Sequence, residues 1–191
     1  MTQKKTETKN SRAADIFEWI EMIVLSAALI LLIFTFVARP ARVDGISMEN
    51  TLHDGEMLLI SNLGGKPKYG DIVVFQKVNS THPQPIVKRV IATEGQTVDI
   101  DFDTWTVTVT DTDGASRVLD EDYRKLTTDQ RVLSDYDYPL TVGEGQLFVM
   151  GDNRNHSMDS RDDRIGLVDK HEIIGKVLFR FFPLNKFGGV S

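Results

Sequence analysis

Residues 151–161, Gly-Asp-Asn-Arg-Asn-His-Ser-Met-Asp-Ser-Arg, crowd Asp152, Arg154, Asp159 and Arg161 around a small hydroxyl, Ser157. Acids and guanidinium groups interleaved this closely can satisfy one another through charge-assisted hydrogen bonds. Such a loop can be rigid without apolar packing. It follows an apolar run, residues 147–150, that reads as a buried strand entering a turn. A solvated turn is the ordinary reading of a charged loop. Two other segments supply it with a chemical context.

The first is Val-Asp-Gly-Ile-Ser-Met-Glu-Asn-Thr-Leu, residues 43–52, with Ser47 at its centre. A nucleophilic serine needs a base to take its proton and donors for the oxyanion that develops. Gly45 permits close backbone approach, and amides in such a turn can donate. A lone Gly-x-Ser is more often a solvated turn, so the base decides the matter. The four histidines, His53, His82, His156 and His171, are scattered, and none is placed with an Asp or Asn as a triad requires.

The second segment, Ile-Val-Lys-Arg-Val-Ile at residues 86–91, offers a lysine instead. On a strand, Lys88 shares its face with Ile86 and Val90, so apolar neighbours frame the ammonium. Desolvation disfavours the charged form and lowers a lysine pKa. To serve as a base near pH 7–8, the amine must fall from about 10.4 by roughly 2–3, close to 3–4 kcal/mol of differential solvation. Arg89 cannot do this, because guanidinium does not deprotonate in proteins. Taken alone, the strand favours a Lys88 that merely edges it with its head in water.

The elements that would position these groups are legible in outline. Residues 19–37 carry a single charge, Glu21, and are long enough to cross a bilayer core of about 30 Å. Trp19 stands where an interfacial anchor stands. A soluble core helix or a cleaved leader would also be apolar, but no Ala-x-Ala site follows, and Pro40 closes the segment. The organisation expected is a cytoplasmic leader over 1–15, a transmembrane anchor over 16–38 and an extracytoplasmic domain over 39–191. Lys4, Lys5, Lys9 and Arg12 favour an inside N-terminus; Arg39 and Arg42 on the far side oppose it.

Beyond the anchor, turn signals recur about every ten residues between short β-branched and aromatic runs. That predicts a mainly β, antiparallel domain, sandwich-like or barrel-like, not a βαβ fold. Residues 92–145 hold 13 Asp and Glu against 4 Lys and Arg and read as an acidic β-rich insertion, more a solvated decoration than a cap. Residues 177–188 are aromatic-rich and suit a core strand or an apolar rim at a lipid surface. The absence of cysteine excludes disulfides, thiol chemistry and Cys-based metal sites. The net charge of −6 argues against nucleic acid as a partner, and the histidine spacing gives no metal motif. No metal or cofactor is expected.

The three segments together, Ser47-Met48-Glu49-Asn50-Thr51-Leu52, Lys88-Arg89-Val90 and Gly151 to Arg161, resemble the boxes of bacterial type I signal peptidases, peptidase family S26. Their order and the single N-terminal anchor are similar to the Gram-positive form. The resemblance implies a serine–lysine dyad, with Ser47 as nucleophile and Lys88 as general base. It implies that Ser157 orients the lysine amine, that Asp159 and Arg161 brace the site, and that Asp152 and Arg154 support the loop. The Ser47 amide and the backbone at Gly45 would donate to the oxyanion. The implied partners are preprotein signal peptides, cut after a small-x-small motif, and the lipid bilayer.

Asn50 stands where the family usually has proline, which leaves that turn less pre-set. Three other readings compete. A non-catalytic homologue could act as an assembly factor for surface proteins or pili. A self-cleaving repressor shares the chemistry and a related fold, but needs a DNA-binding domain in place of the anchor. A membrane-anchored binding module leaves the three boxes unexplained.

Overall fold

The computed structural model describes residues 4–77, 84–127 and 134–190. The chain divides into two compact units, residues 1–39 and 40–191. The first is helical: α1 (Lys4–Leu32) continues into a π-helical turn, Ile33–Val37. Within it, Ala14–Thr35 has a mean hydropathy of 2.3 and buries nothing against the chain, and it is long and apolar enough to cross a membrane.

The second unit is built from antiparallel sheets. In chain order the strands are β1 (Arg39–Arg42), β2 (Met57–Ser61), β3 (Ile72–Phe75), β4 (Ile86–Thr93), β5 (Thr97–Asp101), β6 (Thr106–Thr110), β7 (Ser116–Val118), β8 (Leu140–Thr141), β9 (Gln146–Met150), β10 (Val168–Asp169) and β11 (Ile173–Phe182). Seven of them form one sheet, ordered β1-β2-β11-β3-β4-β9-β10, and four form another, β7-β6-β5-β8. The aromatic-rich end of the chain is thus largely a sheet strand, β11, which pairs with both β2 and β3.

Register brings the chemical segments together. β4 pairs with β3 so that Lys88 faces Val73, and with β9 so that Arg89 faces Met150. The loop that begins at Gly151 therefore leaves the sheet one residue past the partner of Arg89.

The acidic segment does not behave as decoration. Its strands β5 and β6 alternate as the pleat demands: Val98, Ile100, Val107 and Val109 point inward, while Asp99 and Asp101 face solvent. The inward residues share one core with Ile91, Ala92, Phe148 and Met150 of the large sheet. The acids of β5 lie on its outer face, so composition concealed the apolar inner one. A second core holds Val43, Met48, Leu52, Leu58 and Ile60, directly beneath the Ser47 turn.

Phe148 is fully buried in the shared core and meets Tyr138 edge to face, ring centroids 6.4 Å apart. Phe148→Ala should lower stability by about 3–5 kcal/mol in urea unfolding of the detergent-solubilised chain. Val118→Ala, at a position 65% exposed, should change it by less than about 0.5 kcal/mol. Equal stabilities of the two variants would mean that the sheets do not share a core.

Candidate active site

Ser47 stands on a turn pegged from below by Met48 and Leu52, 1% and 0% exposed. The Leu52 amide donates to the Met48 carbonyl at 2.8 Å and closes that turn. Asn153 grips it from the other side. Its backbone amide donates to the Ser47 carbonyl and its side-chain Nδ2 to the Ile46 carbonyl, both at 3.0 Å. Asn153 was missed by sequence reasoning, although a polar residue between Asp152 and Arg154 in a rigid loop was a signal that it also had a partner.

Lys88 is 3% exposed. Its Nζ donates to Ser47 Oγ at 2.8 Å and to the Val87 carbonyl at 2.9 Å. Burial, reinforced by the nearby Arg161, outweighs the pull of Asp159 and Asp152 and lowers the amine from 10.5 to about 8. That displacement corresponds to roughly 3 kcal/mol of lost preference for the charged form. Loss of one proton reverses the polarity of the contact: the ammonium donates to Oγ, whereas the neutral amine can accept from the Ser47 hydroxyl. Between about pH 8 and 10.5 the unfolded chain keeps a proton that the folded chain has released. In that window this group's contribution to stability rises with pH.

The 151–161 loop closes over the pair as a set of forks. Asp159 is fully buried and receives Arg161 Nε at 2.8 Å, Arg161 Nη2 at 2.7 Å and the Gly151 amide at 2.9 Å. Burial alone would raise the Asp159 carboxyl; Arg161, the Ser157 hydroxyl and the Gly151 amide outweigh it and hold the group below the ordinary carboxylate range. Asp152 receives Arg89 Nε at 2.9 Å and Nη2 at 2.8 Å, and Thr51 Oγ1 also donates to it. Arg154 reaches the Gly151 carbonyl through Nε at 3.1 Å and places both terminal nitrogens on Glu121.

Two expectations change in detail. The Ser157 hydroxyl donates to Asp159 at 2.6 Å, and no described hydrogen bond joins it to Lys88. A carboxylate is the stronger acceptor, so Ser157 bears on the amine through Asp159, and the Val87 carbonyl takes the direct contact. Gly45 adopts φ +90°, a conformation suited to glycine, and its amide donates to Asp54 at 2.9 Å. That amide is therefore committed elsewhere. Among the described residues the Ser47 amide has no internal acceptor, which leaves it available to an incoming oxygen. Asn50 is exposed, and the turn it belongs to is fixed by its buried apolar neighbours.

Ser47 and Lys88 open on a cavity of about 220 Å³ bounded by Arg42, Val43, Asp44, Met48, Met158 and residues 84–87. Its long sides are extended chain leading out of β1 and into β4. A second cavity of about 150 Å³, beside Lys66, Glu94 and Lys170, is bordered by neither Ser47 nor Lys88. The carboxylates of Asp135, Asp162 and Asp163 come within 4.8 Å of one another, the one such group among the described residues. Arg164 forks Asp162 there.

The sequence profile of the signal peptidase family, peptidase S26, matches residues 16–182. Signal peptidase I of Bacillus licheniformis is 38% identical, with 96% of each chain covered. Signal peptidase I T of Bacillus subtilis (strain 168) is 36% identical, with 97% of each covered. Among solved structures, a signal peptidase I from Enterococcus faecalis V583 aligns with a TM-score of 0.43 at 32% identity, over 58% of this chain and 96% of that one.

Gly151 is the contact between loop and turn. A Cβ there would lie 2.5 Å from the Ser47 carbonyl oxygen and would collide with the Ser157 hydroxyl. Gly151→Ala should push the two apart, and a misplacement of about 1 Å should cost about 100-fold in labelling of Ser47 by a serine-directed acylating probe. Labelling at the parent rate would show that the loop does not hold the turn.

Proposed function

The chain belongs to the signal peptidase, peptidase S26, family, serine endopeptidases that remove signal peptides, and from that premise we propose that Ser47 is its nucleophile and Lys88 its general base. The observation that carries the reading is the 2.8 Å contact between the buried Lys88 amine and Ser47 Oγ. The apolar helix suits a single-pass anchor, with the leader on the cytoplasmic side and residues 40–191 on the outer face.

The substrate enters as an extended strand along the cavity, beside residues 41–46 and 84–88, where backbone groups can pair with it. Val43, Ile86 and Met158 line a shallow apolar wall that suits small side chains, in keeping with a small-x-small motif. Neutral Lys88 takes the proton of Ser47 as Oγ attacks the scissile carbonyl carbon. The developing oxyanion accepts from the Ser47 amide. Lys88 then gives its proton to the leaving amine, the C–N bond breaks, and the signal peptide is left as an ester on Ser47. Water attacks that ester, Lys88 takes the water proton, and the signal peptide departs as a carboxylate while Oγ is reprotonated. Asp159, Arg161 and Ser157 keep the amine's surroundings fixed, and Asp152 with Arg89 holds the turn through Thr51.

The test is cleavage of a preprotein by the full chain in detergent. Ser47→Ala and Lys88→Ala should each lose at least about 10⁴-fold in kcat. For the parent, kcat/KM should rise with pH through a midpoint near 8 as Lys88 loses its proton. A folded parent that cuts nothing yet binds surface proteins or pilin subunits would place the chain among assembly factors instead.

A further inference from the structure

The route from the small sheet back toward the catalytic loop passes through residues 121–127, which contain neither nucleophile nor base. Their contacts nevertheless converge on the machinery. Glu121 carries both terminal nitrogens of Arg154, and the two side chains are 1% and 0% exposed. Tyr123 donates its hydroxyl to Glu121 at 3.0 Å and lays its ring 3.9 Å from the guanidinium of Arg89, the group that forks Asp152. The Lys125 amide donates to the Asp152 carbonyl at 2.8 Å and the Arg154 amide to the Lys125 carbonyl at 3.0 Å, a parallel bridge that clasps Asn153.

The side chain of Lys125 completes the pattern. Its Nζ reaches Glu49 Oε2 at 2.6 Å, two residues beyond Ser47. One residue thus holds the catalytic loop with its backbone and the nucleophile turn with its amine.

We propose that Glu121, Tyr123 and Lys125 form a positioning strap that sets the distance between Ser47 and the loop beside Lys88. This makes the acidic segment part of the catalytic apparatus, and it rests on the reading of Ser47 and Lys88 as the dyad. The strap acts through other residues and touches no substrate. Its Lys125–Glu49 pair is partly open, with side chains 39% and 23% exposed. A pair so placed contributes little to stability. Its effect should therefore register in turnover, with melting unchanged.

The experiment uses the full chain in detergent with a preprotein substrate, recording kcat, KM and melting temperature. Lys125→Ala and Glu49→Ala should each lower kcat about tenfold, with KM within about twofold and melting unchanged, as a small loss of alignment requires. Lys125→Arg should keep parent turnover. Lys125→Glu and Glu49→Lys should each be impaired, and the double exchange should recover most of the loss, because charge complementarity is restored. Glu121→Gln leaves the buried Arg154 poorly compensated and can unfold the loop, so the Lys125 series carries the test. Parent kcat in Lys125→Ala, a loss confined to KM, a parallel fall in melting temperature, or failure of the exchange to recover turnover each overturns the strap. In those cases Ser47→Ala remains inactive and the dyad stands. A parent chain that cuts nothing overturns both.

Discussion

Lys88 keeps its amine out of water, 2.8 Å from a serine hydroxyl, in a setting where two buried carboxylates, Asp159 and Asp152, pull it toward the ammonium. Each of these acids is matched to a guanidinium of its own. Asp152 is forked by Arg89 and Asp159 by Arg161; a third fork, Glu121 on Arg154, belongs to the same loop. Paired in this way, the acids exert a reduced net field at the amine, and burial decides its protonation. An unpaired acid at Asp152 or Asp159 would draw the lysine back toward its ordinary value. The forks also explain how Asp152, Arg154, Asp159 and Arg161 can all be buried: breaking a buried pair strands the other charge at several kcal/mol, typically about 3–5.

The same forks join the cavity to the fold. Arg89 comes from the strand that carries Lys88, so Lys88 and the brace of the Ser47 turn share one rigid element. Glu121 comes from the acidic segment, so the small sheet is fastened to the loop by charge as well as by the Phe148 core. The Ser47–Lys88 pair is held from two sides by the 151–161 loop and the acidic segment, which contain neither residue. In the proposed dyad a mobile pair would lose alignment, and proximity is much of what such chemistry requires.

Much of this could be read in the sequence where the signal is local. Period-two alternation in residues 97–110 and the apolar run before Gly151 mark strands, and the apolar stretch behind the leader marks the helix. Lys88 framed by Ile86 and Val90 allowed a desolvated amine, but the strand alone favoured a head in water, and only the resemblance of the three segments pointed to a base. What could not be read is which charge meets which. Asp152 pairs with Arg89, 63 positions away, and Arg154 with Glu121, 33 away, so spacing within the loop suggested neighbours that are not the true partners. Composition misled once: residues 92–145 sum to a strongly acidic segment, yet Asp99 and Asp101 face water while the valines of the same strands build the core. Asn153 and the Gly45–Asp54 contact depend on turn geometry that only the assembled fold reveals.

The most direct test of the central claim is to titrate the Lys88 amine itself, by NMR of the lysine side-chain resonances in the detergent-solubilised chain, with Lys88→Arg identifying the signal. A midpoint near 8, well separated from the other lysines, is the result the structure predicts. A midpoint at the ordinary lysine value, about 10.4, would contradict it, since burial would then not have lowered the amine and only a minute fraction would be neutral near pH 8 to take the Ser47 proton.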